Sequence, residues 1–376
     1  MTDPRCKKLA QVLVDYSLNL QAGEIVALRA MPAAAPLVSA VYERALERGA
    51  LPVLLMNLPG IDETHMRLAN DSQMAFISPF TRLAYEKFDA LASLGGEENR
   101  RSLGRIDPAR QTARQQALRP LTEIFMRRDS ILENSGSGEK LLKWVVAEFP
   151  TNAGAQDADM SLRDWENFIY SACHVNGDDD PVAYWQDVKL EQDRLVNWLK
   201  GKNAMRVQGA NIDLSLSIAG RTFVNACGSK NMPDGEIFTG PVEESVNGWV
   251  KFTYPAVFQG RKVDGVEIRF EGGKAVHISS ETNQDFLRQT LTMDSGASYL
   301  GEFAFGTNFG IQEFTKQILF DEKMGGTLHM AFGIGYPETG SKNTSALHWD
   351  MICDMRKDAE VWVDGELFYR NGAFTV

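Results

Sequence analysis

The sequence predicts two differently built halves, an open α/β sheet followed by a mainly antiparallel, β-rich region, and three observations carry that reading. Over residues 1–150 short apolar runs alternate with stretches of helical periodicity. After Gly201 the apolar spacing changes to period two, in segments separated by glycines. The 376 residues also exceed what one hydrophobic core ordinarily serves, at about 150 residues per domain.

Each element follows from local pattern. Leu9, Val12, Leu13, Tyr16 and Leu20 recur at three- and four-residue steps and predict a helix over residues 7–20. The Ala22-Gly23 break introduces a strand over 24–28, a helix over 34–48 closes at Gly49, and the apolar run 51–56 reads as a buried strand, completing a β-α-β unit. Residues 88–94, ending in Gly95-Gly96, and 142–149 predict two more strands, with a long helix over 108–127 between them. Residues 161–200 are helical, with Leu162, Trp165, Phe168 and Ile169 on one stripe and Leu190, Leu195, Trp198 and Leu199 on another, and read as a bridging layer. The segments AMRVQG, IDLSLSIAG, RTFVNACG, VEIRFEGG and KAVHISS then predict antiparallel strands. The composition shift divides the chain into an N-terminal α/β domain with its helical bridging segment, residues 1–205, and a β-rich domain, residues 206–376, expected to carry the chemistry.

Composition removes several function classes. The 39 basic residues against 50 acidic ones leave a net charge of -11, the wrong sign for neutralising phosphates over a broad surface, so nucleic acid is not an expected partner. Cys6, Cys173, Cys227 and Cys353 are scattered singly, which points to a reducing compartment. The N-terminus has no uninterrupted apolar segment of the signal-peptide kind, and LPVLLMNLP falls far short of the roughly 20 residues that cross a bilayer. A cytoplasmic protein with no membrane partner is expected.

Familiar single motifs are missing: no G-x-x-x-x-G-K-[ST] phosphate loop, no G-x-S-x-G elbow, no H-E-x-x-H helix. Ser135-Gly136-Ser137-Gly138-Glu139-Lys140 has the wrong spacing for a phosphate loop and reads as a solvated turn. The chemistry gathers around two of the five histidines. On a strand, His348 and Asp350 share one face with Trp349 on the other, a spacing that suits either a chelated divalent cation or a surface hydrogen bond. The Gly325-Gly326 pair permits a turn that brings Glu322 towards His329, whose apolar surroundings demand a partner, a metal or a backbone carbonyl. Glu236 and Glu302 sit beside glycines and bulky apolar residues, where a carboxylate needs compensation or a proton, and either is also compatible with an element terminus or a peripheral salt bridge.

Taken together and in order, NMPDGEIFTGP, YLGEFAFGTN, LFDEKMGGTLHMAFGIGYPET and NTSALHWDM, with KWVVAEFPT and DADMSLRDWENF ahead of them, closely resemble the thermophilic aminopeptidase family, the aminopeptidase T and S type, along the whole chain. The resemblance implies a homodimer of two-domain chains acting on peptides with a free N-terminus. It implies two divalent metal ions per chain, cobalt, zinc, manganese or magnesium, held in the β-rich half. Carried over motif by motif, it implies Glu236, Glu302, Glu322, His329, His348 and Asp350 as ligands and places Tyr336 at the reaction centre. The expected chemistry is attack of a metal-activated water on the first peptide carbonyl, with Glu302 bridging the metals or taking the water's proton and Tyr336 donating to the oxyanion.

Two rivals belong to other classes. Iron-dependent dioxygenases that open hydroxypyridine rings share the fold that the resemblance implies, on a His, His, Asp set; Glu236, Glu302 and Glu322 supply more carboxylates than a single iron with open positions needs. A non-catalytic metal-containing binding protein would lack water-activating groups, whereas Glu302 and Tyr336 are both present.

Overall fold

The computed structural model describes residues 3–129 and 140–376, and the turn expected at Ser135–Glu139 lies outside them. The chain folds as two compact units: Met1–Tyr184 with Gly228–Met232, and Trp185–Cys227 with Pro233–Val376. The division falls inside the helix Pro181–Leu199, ahead of the composition shift near residue 205.

The first unit is built on a five-stranded parallel sheet in the order Leu51–Met56, Ile25–Ala30, Ala90–Gly95, Lys143–Glu148, Asn231–Met232. Its helices include Ala35–Glu47, which crosses between the first two strands, and Pro108–Asp129, which runs through Pro120. The N-terminal helix is α-helical over Pro4–Gln11 and widens to a π-turn over Val12–Ser17. Leu51–Met56, expected to be buried, is instead an edge strand: Leu51 and Leu54 are about half exposed. An apolar run is the same string whether its flank is covered or bare, so periodicity does not distinguish the two. Three short helices, Ile61–Leu68, Asp71–Ala75 and Pro79–Lys87, have too few turns to show an apolar stripe. Their local signals are the Asn70-Gln73 capping box and Pro79 in a first turn.

The second unit packs two antiparallel sheets on one core. The larger has eight strands, ordered Lys274–Ser279, Glu267–Glu271, Asn247–Lys251, Ile212–Ser217, Ala204–Gly209, Ala359–Val363, Glu366–Arg370, Ala373–Phe374. The smaller has five, ordered His348–Asp354, Thr327–Gly333, Leu300–Gly306, Glu236–Thr239, Val224–Ala226. Ile237, Phe303, Phe305, Leu328, Met330, Phe332, Trp349 and Met351 project from the smaller sheet into that core and meet Val207, Leu214, Val250, Ile268 and Val361 of the larger. Because strand side chains alternate, this apolar packing dictates which residues occupy the smaller sheet's other face.

Phe305 anchors the arrangement, fully buried with its ring against Phe303, Phe368, Tyr369 and Phe374. Phe305→Ala is expected to lower the unfolding free energy by about 3–5 kcal/mol in urea titrations. A loss under about 1 kcal/mol would show that the cluster does not hold the sheet.

Candidate metal centre

The face of the smaller sheet turned away from the core carries five of the six residues singled out as ligands, and the strand register explains why they have room. Glu236 pairs with Gly306, His329 with Ala304, Glu302 with Ala331, Asp350 also with Ala331, and His348 with Gly333. Directly opposed residues share a face, so each polar side chain stands across from an alanine or a glycine. Glu302 is brought into line by a bulge between Leu300 and Glu302. Gly333 adopts φ 97°, and a Cβ there would lie 2.1 Å from the Leu347 carbonyl oxygen, so the strand end leading to His348 requires glycine. Glu322 arrives separately, from the turn between the short helix Ile318–Asp321 and the strand Thr327–Gly333.

The side chains converge tightly. Glu302 Oε1 lies 3.4 Å from His329 Nε2 while its Oε2 lies 3.6 Å from His348 Nε2. Glu236 Oε2 is 3.2 Å from His329 Nε2, and Asp350 Oδ2 is 3.5 Å from His348 Nε2. Three overlapping triads, Glu236/Glu302/His329, Glu302/His348/Asp350 and Glu322/His329/Asp350, each have ligand atoms within 4.8 Å of one another. The six residues are therefore brought into one cluster. The His348 ring is oriented by its Nδ1, 3.2 Å from the Ile334 carbonyl, which leaves Nε2 facing the carboxylates.

The cluster fits a cation better than it fits itself. Glu236, Glu302 and His329 are nearly inaccessible to solvent, yet Glu236 Oε2, Asp350 Oδ1 and His329 Nδ1 make no hydrogen bond. Buried polar atoms left in that state are costly, and carboxylate and imidazole donors together suit a divalent ion. Burial pushes the Glu236 carboxyl up to about 7, against the pull of Lys323, and the Asp350 carboxyl up to about 6. Burial alone would lower His329, but the Glu302, Glu236 and Asp350 carboxylates raise it to about 10. His348 is raised for the same reason, against its own burial, by Asp350 and Glu302. Glu322 resists the upward push of burial and is held below the ordinary carboxylate range by Lys323 and His329.

Tyr336 stands at the rim, 41% exposed, its ring edge-on to His348 at 5.7 Å and tilted against Phe238 at 5.2 Å. Burial of its hydroxyl, and then the charges of Glu302 and Asp350, hold that proton more firmly than usual. Two charged neighbours were not evident from sequence. Lys323 is fully buried, with Nζ 3.1 Å from Glu236 Oε1, 3.8 Å from Asp234 Oδ1 and paired with Glu322 Oε1. Asp234 is itself 1% exposed. A lysine beside a glutamate normally reads as solvated, so the one usable signal was its position inside the Glu322-to-His329 segment. Gln192, also buried, donates to the Glu236 carbonyl at 2.8 Å and so fixes the backbone of that strand.

The chain is similar to known proteins along most of its length. A family model described as thermophilic metalloprotease (M29) matches residues 2–374. Aminopeptidase T of Thermus aquaticus is 30% identical over 363 residues, covering 88% of this chain and 85% of that protein. Aminopeptidase 2 of Geobacillus stearothermophilus is 28% identical, covering 90% and 86%. Among solved structures, wild-type AmpT from Thermus thermophilus superposes with a TM-score of 0.83 at 23% identity, covering 99% of each chain. A 2,5-dihydroxypyridine dioxygenase from Pseudomonas putida KT2440 shares the fold at a TM-score of 0.60 and 13% identity, covering 99% of this chain and 97% of that one.

The shifted groups set a pH dependence for the metal-free protein. Glu236, Asp350, His329 and His348 all hold protons more tightly folded than unfolded, so each contributes stability at low pH that is lost as pH rises through its folded value. Glu322 runs the opposite way, but its stability is lost only below the ordinary value of 4.5. The melting temperature of chelator-treated protein is therefore expected to fall between about pH 5 and pH 8, and added divalent metal to remove most of that fall. A metal-free melting curve that rises over that interval would contradict the charge balance described for the cluster.

Proposed function

The chain belongs to the M29 family of thermophilic metalloproteases, and we propose that it is a metal-dependent aminopeptidase releasing the N-terminal residue of peptides through a centre of two divalent ions. The observation that carries the dinuclear reading is Glu302, which turns one carboxylate oxygen towards His329 and the other towards His348. That is the posture of a carboxylate shared between two neighbouring sites. Glu236, Glu322 and His329 would supply one side, and His348 and Asp350 the other, with His329 and Asp350 both able to contribute across the triads. Charge supports two ions: when ionised, Glu236, Glu302, Glu322, Asp350 and the adjoining Asp234 bring five negative charges and Lys323 returns one, leaving four for two divalent ions to balance. Cobalt, zinc, manganese or magnesium suit this oxygen-rich donor set with two imidazoles.

Bound divalent metal supplies Lewis acidity and a water ionised near neutral pH. The protein's own groups do the rest. Glu302, at the centre of the cluster, has two alternative roles: shared between the two ions, or accepting the proton of the attacking water. Tyr336, at the rim with its hydroxyl firmly protonated, donates a hydrogen bond to the oxyanion that develops on the scissile carbonyl. The substrate's free α-amine would bind one metal ion or a neighbouring carboxylate, which confines cleavage to the first residue. The relatives named as aminopeptidases support this substrate class. The dioxygenase reading has similarity of fold alone behind it.

A cytoplasmic dimer of two copies completes the proposal. The described cysteines form no disulfide with one another, and Leu51, Leu54 and Leu58 leave an apolar edge for a second subunit.

Chelator-stripped protein is expected to hydrolyse aminoacyl chromogenic substrates once cobalt or zinc is returned, and to leave their N-acetylated counterparts intact. Cleavage of both alike would remove the aminopeptidase reading. Glu302→Gln is expected to lower kcat about 10²- to 10⁴-fold with the circular dichroism spectrum unchanged. Near-normal turnover in that variant would take Glu302 out of the reaction.

A further inference from the structure

We infer that Lys323 is a positioning residue of the metal centre: its ammonium takes one oxygen of Glu236 and one of Glu322, so that each presents its remaining oxygen to metal. The inference rests on the metal-centre reading proposed above.

An ammonium group has three protons and no acceptor. Here three carboxylates surround it: Glu236 Oε1 at 3.1 Å, Asp234 Oδ1 at 3.8 Å, and Glu322 Oε1 in close contact. The side chain is fully buried, so no water competes for these contacts. The consequence for Glu236 is visible: Oε1 is engaged by Lys323, whereas Oε2 makes no hydrogen bond and lies 3.2 Å from His329 Nε2, inside a ligand triad. Glu322 shares the pattern, one oxygen held by Lys323 and the carboxylate belonging to a triad with His329 and Asp350. Without the ammonium each carboxylate would be free to rotate and to present both oxygens.

The backbone holds Lys323 in place from both sides. Its N–H donates to the Phe320 carbonyl at 3.1 Å, and its carbonyl accepts from the Asn308 N–H at 2.9 Å. Asn308 in turn donates from Nδ2 to the Asp234 carbonyl at 2.8 Å, tying the lysine and its third carboxylate to one loop. Close approach to the ligand strand depends on Gly306, where a Cβ would come within 2.2 Å of the Met324 carbonyl oxygen. A lysine that merely neutralised charge would not need this degree of placement.

Positioning and simple counter-charge predict opposite changes. Removing a nearby positive charge should by itself tighten binding of a divalent cation; removing an orienting partner weakens it, as loss of groups that orient metal ligands does by about 10- to 100-fold. The test titrates cobalt into chelator-stripped wild type, Lys323→Met and Lys323→Gln by calorimetry, with melting of each metal-free protein to establish folding. Lys323→Met, neutral and similar in volume, is expected to bind cobalt about 10- to 100-fold more weakly. Lys323→Gln, whose amide can still donate to carboxylate oxygens, is expected to lie between Met and wild type, and it carries the test if the Met variant does not fold. Unchanged or tighter cobalt binding in a folded variant would overturn the positioning role while leaving the metal centre standing. A wild-type protein that takes up no cobalt, zinc, manganese or magnesium would overturn both.

Discussion

Four largely buried carboxylates within a few ångströms of one another impose the requirement that shapes everything around them. Glu236, Glu302, Glu322 and Asp350 repel one another in a medium that screens poorly, and neither hydrogen bonds nor pKa shifts relieve all of them. Lys323, His329 and His348 offset part of the charge. The remainder suits a divalent metal, the cofactor class that the metalloprotease family implies.

Such a cluster survives only on a scaffold stable enough to bear it. The smaller sheet meets that need by giving its two faces different tasks. Phe303, Phe305, Leu328, Met330, Phe332 and Trp349 bury one face in the shared core, and the alternation of the strands then commits Glu302, His329, His348 and Asp350 to the other. Opposite each polar residue stands Ala304, Ala331, Gly306 or Gly333. Aromatic packing thus holds the chemistry in register, and small residues leave space for it.

The same physics explains how an unrelated activity can share the architecture. A sheet with one committed apolar face and one recessed polar face offers positions for ligands without specifying which ones, and the dioxygenase of like fold shows that different chemistry can be mounted on it. What separates the readings here is the carboxylate count and the two-sided presentation of Glu302, properties of particular side chains and not of the fold.

Much of this was legible in the amino acids. The α/β and β-rich halves follow from periodicity, and His348 and Asp350 declare a shared face through their i, i+2 spacing. Glu236, Glu302, Glu322 and His329 stood out only together, as an ordered set of motifs resembling a known family, because each alone suits a salt bridge, an element end or a backbone-bonded histidine equally well. Covering and pairing across long sequence separations were beyond reach. Leu51–Met56 reads as interior but forms an edge, since exposure depends on what other segments leave bare. Lys323 reads as a solvated charge beside Glu322, and only the folding of Asp234, Glu236 and the 318–326 turn onto one point makes it the cation at the heart of the cluster. Which residue types are available, and which face of a strand each takes, are local properties of the chain and were written in it from the start. Which charges meet in a place without water is a property of the packed whole, because burial and mutual distance exist only once distant segments have come together.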